Sequence, residues 1–296
     1  LRAADACAAV PEISREFPAL VGYEAVWGDG MIDPERVADI IRETAAAEIV
    51  PRFRLLRQED IREKKPGDLV TLADLETERQ LTQRLAAVSP GSLVLGEEAA
   101  AQDPARLGLL TTDAALWIID PVDGTANFAR GRTGFAVIVA RIEQRTVRAG
   151  WIYDPLEDLM VIAELGAGAW SRGMRLAVAS ETEPRRMEGA AYGRTRVGMR
   201  AATALETSGR IGRVRNLGCS ALEYAEIALG RAHFSLHSRS LPWDHAAGIL
   251  IVREAGGLAG FADGSTYDPR ILDRPVLATS NGIAWEAVCD SVGPFA

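Results

Sequence analysis

Residues 117–128 read Trp117-Ile118-Ile119-Asp120-Pro121-Val122-Asp123-Gly124-Thr125-Ala126-Asn127-Phe128. No other stretch constrains the fold as much. The apolar run from Leu116 to Ile119 has the character of a buried strand. It meets Asp120 and then Pro121, which brings no N–H to a ladder, so the strand is expected to stop there. Gly124 offers a tight turn without a Cβ. Asp120 and Asp123, three apart across that turn, converge on one side, with the Thr125 hydroxyl beside them. Two unpaired carboxylates at a strand end are costly. A hard divalent cation that takes oxygen ligands, such as Mg2+, would stabilise them. Asp-Pro and Asp-Gly are also ordinary turn residues, so this stretch alone leaves a plain polar turn open.

Two further stretches tip the balance. Gly96-Glu97-Glu98 follows the apolar run Leu93 to Leu95, and Pro242-Trp243-Asp244-His245-Ala246-Ala247-Gly248 opens an apolar helical run that ends at Glu254-Ala255-Gly256-Gly257. Three acidic clusters, each at the edge of a regular element, suit a site for more than one metal ion. In this order, Gly-Glu-Glu, Trp-Ile-Ile-Asp-Pro-Val-Asp-Gly-Thr-x-Asn-Phe and Trp-Asp-x-Ala-Ala-Gly resemble the inositol monophosphatase family. The resemblance runs over residues 33–290, and the middle motif is its most specific part.

The resemblance implies hydrolysis of a small phosphate monoester that depends on Mg2+, with Mn2+ as a substitute and Li+ as an inhibitor. It implies a first ion on Glu97, Asp120 and the Val122 carbonyl, and a second on Asp120, Asp123 and Asp244. A third, weaker ion would use Glu97 through waters. Glu98 and Lys65 would support these ligands from behind, Lys64 being the alternative to Lys65. Asp74, in Asp68-Leu69-Val70-Thr71-Leu72-Ala73-Asp74, matches a family Asp that pairs with the motif Thr to activate a water. By that carry-over Asp74 and Thr125 are the catalytic dyad, the attack on phosphorus is in line, and no covalent phosphoenzyme forms. The backbone N–H groups of Gly124 and Thr125 would bind phosphate oxygens in the turn. Read locally, Asp74 and Asp244 are also acids in the first turn of a helix, where the dipole favours them.

The chain has 296 residues and a formal net charge of −8. That length holds one large domain or two modest ones. An acidic chain of this kind argues against a nucleic-acid partner, and a small phosphorylated metabolite needs local neutralisation, which bound Mg2+ would supply. Cys7, Cys219 and Cys289 are the only cysteines; odd in number and scattered, they fit a reduced, cytoplasmic chain. The three histidines lack zinc-ligand spacing, and no apolar run reaches membrane-spanning length.

Residues 1–30 carry Pro11, Pro18, Gly22, Gly28 and Gly30 with little periodicity. They read as a poorly ordered N-terminal extension, with Met31 as a natural start. The alternative is a dimer-contact arm carrying Phe17, Tyr23 and Trp27. Asp33-Pro34 is a helix start, followed by Val37, Ile40, Ile41, Ala45 and Ile49 at helical spacing up to Pro51. From Ser92 to Trp170 apolar runs separated by turn residues, including the Glu143-Gln144-Arg145 loop, predict a large, mostly antiparallel sheet. The polar stretch 179–187 is the expected boundary between an N-terminal subdomain (31–180) carrying the metal site and a C-terminal subdomain (181–296) carrying the substrate pocket. Beyond it strands and helices alternate, which argues α/β. The fold class expected is α/β (α+β), a layered αβαβα sandwich with the metals between the halves. The resemblance adds a homodimer.

The sequence departs from the family in the second half. The family places a substrate-binding Glu six residues before the Trp-Asp pair; here that position is His237, two before Arg239. His237 and Arg239 would make a more cationic pocket, suited to a leaving group with a second anionic group; equally, His237 reads as a strand-end residue facing solvent. The segment Gly218-Cys219-Ser220-Ala221 makes Gly218 and Ser220 candidate pocket residues. Within the same chemistry a sugar bisphosphatase, a histidinol-phosphate phosphatase and a nucleotide 3′-phosphatase are alternatives. A non-catalytic phospholigand sensor is opposed by the intact acidic set.

Overall fold

The structure is a computed structural model that describes residues 32–192 and 196–293. The extension expected at residues 1–30 lies outside them. Helix α1 (Pro34–Glu48) starts at its expected cap: the Asp33 carboxylate accepts the Glu35 N–H at 3.0 Å and Pro34 opens the first turn. A single tight turn, Val50–Arg52, follows at Pro51. The hairpin β1 (Ile61–Lys65) and β2 (Asp68–Thr71) leads into α2 (Leu72–Val88). Then come β3 (Leu93–Gly96), α3 (Glu97–Gln102), β4 (Leu116–Asp123) and the short α4 (Thr125–Ala129). Strands β5 (Ala136–Glu143) and β6 (Thr146–Asp154) pair as the predicted hairpin, and β7 (Leu159–Glu164), β8 (Gly168–Ser171) and β9 (Met174–Arg175) continue the meander.

The second half alternates as predicted. It runs β10 (Glu188–Tyr192), α5 (Arg196–Thr207), β11 (Arg213–Arg215), α6 (Ser220–Ala228), β12 (Phe234–His237), α7 (Pro242–Glu254), β13 (Leu258–Phe261), β14 (Val276–Thr279) and α8 (Gly282–Val292). Among the described residues, one sheet has the order β3-β4-β5-β6-β7-β8-β9 and is antiparallel except where β3 meets β4. A second, β11-β10-β12-β14-β13, is mixed, and the β1–β2 hairpin is a third, two-stranded sheet.

Alternation of side chains across each strand sets the layers. Trp117, Ile119, Val137, Val139 and Trp151 pack against Val37 and Ile41 of α1 and Leu81 and Leu85 of α2. Ile118, Ile138, Ala140 and Ile152 face the other way, onto Ala225 of α6 and Ala246, Ala247 and Leu250 of α7. That helical layer also takes Ala259, Phe261, Val276 and Ala278 from the second sheet. The far side of the second sheet (Phe234, Leu236, Leu277) packs on Leu205 of α5 and on Trp285 and Val288 of α8. The order of layers is therefore αβαβα. Helix α7 is apolar nearly all round, with buried residues from Pro242 to Val252, because a sheet covers it on both sides.

One local expectation fails. Strand β4 does not stop at Pro121 but continues to Asp123. Its register with β5 shifts there: Asp120 opposes Ile138 and Asp123 opposes Ala136, three steps on β4 against two on β5. This is a β-bulge with one extra residue. Pro121 sits inside it, where the ladder asks for no N–H.

Candidate active site

The bulge decides where the carboxylates point. In a regular strand, residues three apart face opposite sides of the sheet. The extra residue brings Asp120 and Asp123 onto one face, the face of Ile138 and Ala136, which packs toward α6 and α7. Gly124 then turns the chain at φ +89°, a left-handed conformation, and a Cβ there would lie 2.6 Å from the Gly134 carbonyl oxygen. The turn delivers Thr125 to the start of α4.

Asp74 comes from the other side. It is the third residue of α2 and closes a capping box with Thr71. Its Oδ2 accepts the Thr71 N–H at 2.8 Å and the Thr71 hydroxyl at 2.6 Å, while the Thr125 hydroxyl lies 3.1 Å from Oδ1 and 3.0 Å from the Val122 carbonyl oxygen. Burial pushes the Asp74 carboxyl up to about 7, against the hydrogen bonds from Thr71. The structure thus brings Asp74 and Thr125 into direct contact.

Glu97 and Glu98 open α3 directly after β3, whose last residue Gly96 pairs with Ile119 next to Asp120. Lys64 Nζ lies 2.8 Å from Glu97 Oε1 and 2.9 Å from Glu98 Oε1. Burial works against the Lys64 ammonium, yet the two carboxylates raise it well above its ordinary range. Burial and the charge of Glu97 push Glu98 up to about 8, with Lys64 opposing. Lys65, expected in the supporting role, is exposed. Lys64 is the extra residue of a bulge in β1 between Glu63 and Lys65, and that bulge turns it inward. Buried Glu78 had no sequence signal: its carboxylate accepts the N–H groups of Glu98 at 2.7 Å and Ala99 at 2.8 Å, capping α3.

Asp123 and Asp244 are joined by the start of α6. Asp123 Oδ2 accepts the Ala221 N–H at 2.6 Å, the Ser220 hydroxyl at 3.0 Å and the Cys219 thiol at 3.3 Å. Burial pushes Asp123 up to about 6, opposed by these donors. Ser220 Oγ also lies 3.1 Å from the Asp244 carbonyl oxygen. Ser220 therefore ties the Asp123 carboxylate to the first turn of α7. Gly218, half-buried at φ +67°, packs on Asn127, whose amide donates to the carbonyls of Gly134 and Leu217 at 2.8 and 2.9 Å. Asp244 lies in the first turn of α7 and hydrogen-bonds the Asp120 carboxyl. Burial, then the charges of Asp123 and Glu97, hold Asp244 well above the usual carboxylate range; burial, then Glu97, Asp123 and Asp244, do the same to Asp120.

His237 meets neither expectation. It is 5% exposed, so it does not face solvent, and burial lowers it to about 4, so its ring is neutral and adds no charge to a pocket. Arg239 is exposed, and its charge stabilises the Asp244 carboxylate. His245 is buried, with Nδ1 2.8 Å from the Tyr224 hydroxyl.

Four acidic side chains, a backbone carbonyl and a hydroxyl are hard oxygen donors, the set that Mg2+ takes. The carboxylates raise one another, a cost that a divalent cation would remove. The donor chemistry therefore fits. Among the described residues, no three of these side chains close on one point; Lys64 and the Asp120–Asp244 hydrogen bond balance them instead.

An αβαβα sandwich with this acidic cluster between its two sheets is the frame of a metal-dependent phosphomonoester hydrolase. The inositol monophosphatase family profile matches residues 33–292, and the chain belongs to that family. The chain is 34% identical over 239 residues to an inositol-1-monophosphatase of Mesorhizobium japonicum, covering 77% of this chain and 84% of that one. It is 33% identical over 198 residues to a fructose-1,6-bisphosphatase/inositol-1-monophosphatase of Thermotoga maritima, covering 66% and 73%. Among solved structures, a Thermotoga maritima IMPase superposes with a TM-score of 0.76 at 26% identity, over 90% of this chain and all (100%) of that one. The chain is accordingly a phosphatase that hydrolyses small phosphate monoesters, in a metal-dependent family. Among the described residues no helix is long and apolar enough to cross a membrane.

Proposed function

We propose that the chain hydrolyses an inositol-phosphate-type monoester with Mg2+, using Asp74 and Thr125 as the water-activating pair. Glu97, Asp120 and the Val122 carbonyl would hold one ion, and Asp120, Asp123 and Asp244 a second. A third, weaker ion would sit near Glu97, Mn2+ would substitute, and Li+ would inhibit. Bound there, the ions would lower the pKa of a water, orient the phosphate and take up charge on the leaving oxygen. The observation that carries the reading is the contact between Thr125 and Asp74, 3.1 Å, beside the acidic cluster.

The chain's own residues would act as follows. A water donating to Thr125 Oγ1 passes its proton along the Thr125–Asp74 hydrogen bond. Asp74, near 7 through burial, is matched to accept a proton around neutrality. The N–H groups of Gly124 and Thr125, at the unsatisfied start of α4, bind phosphate oxygens. Glu98 and Lys64 steady Glu97. Gly218 shapes the approach to the Asn127 side.

A second reading concerns the leaving group. Arg239 is exposed within the field of Asp244, and no added charge comes from His237. A substrate with a second anionic group, such as a sugar bisphosphate, would meet Arg239. Phosphate release from inositol 1-phosphate, fructose 1,6-bisphosphate, histidinol phosphate and a 3′-phosphoadenosine nucleotide tests both readings, with and without Mg2+ and with added Li+. Release that does not need Mg2+ refutes the metal assignment. Bisphosphate preferred by wild type and lost in Arg239→Ala selects the second reading. A homodimer in the cytoplasm is the proposed setting, and sedimentation equilibrium tests the dimer.

A further inference from the structure

Behind the loop that holds Asp123 lies a buried polar set that the chemistry above does not use. Glu223 of α6 is 2% exposed. Its Oε1 accepts the Leu217 N–H at 3.3 Å and its Oε2 accepts the Ser235 hydroxyl at 2.9 Å. Ser235 Oγ is 2.6 Å from His237 Nε2, which is 3.3 Å from Glu223 Oε2. With His237 neutral, a ring N–H to Ser235 and the Ser235 O–H to Glu223 complete one directional chain. Burial pushes the Glu223 carboxyl up to about 8, and the Ser235 bond opposes that.

A carboxyl buried this deeply is costly unless its bonds are made. Its partners say what it holds. Leu217 is gripped twice: its N–H by Glu223 and its carbonyl by Asn127 at 2.9 Å. Leu217 begins the short loop into α6, whose N-cap Cys219 and first residues Ser220 and Ala221 meet a single oxygen of Asp123. The opposite end of the chain, His237, stacks on Tyr224 with ring centroids 5.6 Å apart, and Tyr224 bonds His245, the neighbour of Asp244.

We propose that Glu223 is a positioning residue of the reaction. Accepting the Leu217 N–H, it sets the 217–219 loop that enters α6 and through it the aim of the Asp123 carboxylate toward the metal-binding cluster. This rests on the reading of Asp123 as a metal ligand. Partners that orient a ligating side chain change metal affinity by about 10–100-fold when removed.

The test is Mg2+ binding measured by calorimetry on wild type, Glu223→Gln, Glu223→Leu and Ser235→Ala, with urea unfolding of each chelator-treated protein. Glu223→Gln keeps an acceptor oxygen for Leu217 and is expected to bind Mg2+ within a few-fold of wild type. Glu223→Leu, folded, is expected to bind about 10–100-fold more weakly, with the Mg2+ needed for half-maximal phosphate release rising in step. Wild-type affinity in folded Glu223→Leu overturns the proposal. So does an equal loss in Gln and Leu, which would point to charge and not to the accepted hydrogen bond. Should Glu223→Leu fail to fold, Ser235→Ala, which removes one bond to Glu223, is expected to weaken Mg2+ binding in the same direction, and no change there also overturns it. If wild type binds no Mg2+, the ligand reading of Asp123 falls first, and the difference is visible because the parent protein fails too.

Discussion

Replacing Asp74 with Asn separates the site's function from its cost. Asp74 is 0% exposed, and burial raises its carboxyl from 3.8 to about 7. A raised acid binds its proton more tightly in the native state than in the unfolded chain. Its contribution to stability is therefore present at low pH and is lost as pH rises through the folded value. From about pH 5 to about pH 8 the native protein gives up a proton that the unfolded chain has already lost. At 1.36 kcal/mol per unit, wild type loses about 2.5–3 kcal/mol of stability over that window through Asp74. Asn does not titrate. Its oxygen still accepts from Thr71, and its amide meets Thr125 Oγ1, so the bond count is kept. In urea unfolding with chelator present, D74N is expected to match wild type within about 1 kcal/mol near pH 5 and to exceed it by about 2–3 kcal/mol near pH 8. Phosphate release in Mg2+ is expected to fall by about 10²–10⁴-fold. A constant gap between the two proteins across the pH range would refute the assignment of that proton to Asp74.

Lys64→Met removes the ammonium that bridges Glu97 and Glu98. The chelated protein is expected to lose about 3 kcal/mol, the low end for stripping one partner from a buried pair, and added Mg2+ is expected to recover part of it; equal denaturation midpoints for K64M and wild type would sink the neutralising role. Gly124→Ala places a Cβ 2.6 Å from the Gly134 carbonyl at φ +89°. A loss of about 1–3 kcal/mol in stability together with loss of turnover is expected, and an active G124A of unchanged melting temperature would show that the turn tolerates more than its geometry says.

The order of strands and helices was legible because their signals are local: Asp33-Pro34 caps α1, the 143–145 loop closes the β5–β6 hairpin, and α7 announces itself by continuous apolarity. Registers were less legible. A strand's period of two carries no mark of a bulge, so the sequence stops β4 at Pro121 and cannot choose between Lys64 and Lys65. In both places one inserted residue reverses which side chain turns inward. The supporting residues were hidden for a different reason. Glu78, Asn127 and Glu223 act across 20, 90 and 6 positions respectively, on backbone groups, and a polar residue in a helix does not announce which backbone N–H or carbonyl it serves. His237 misleads because its chemistry depends on burial. The same ring would be cationic at a surface, and here it is held neutral by the layer it sits in.

The hydrogen bonds of the cluster sort the carboxylates by task. Asp74 has both oxygens engaged, Oδ2 by Thr71 and Oδ1 by Thr125. A carboxylate so engaged has little left for a cation and is placed to exchange a proton with a hydroxyl. Asp123 differs: its three donors all fall on Oδ2. Among the described residues that leaves Oδ1 without a donor, aimed from a side chain that cannot rotate without losing three bonds. Asp120 takes the Val122 N–H on Oδ1 at 3.1 Å and otherwise bonds the Asp244 carboxyl, itself a proposed ligand. Binding a cation would replace that carboxyl–carboxyl bond and release its proton. Metal binding by this chain is therefore expected to release protons at neutral pH, in proportion to the carboxylates that burial and mutual repulsion keep protonated. Calorimetry in buffers of different ionisation enthalpy measures the number. Release near zero at about pH 7 would mean that Asp120 and Asp244 are already ionised, and that the donors around them outweigh the repulsion.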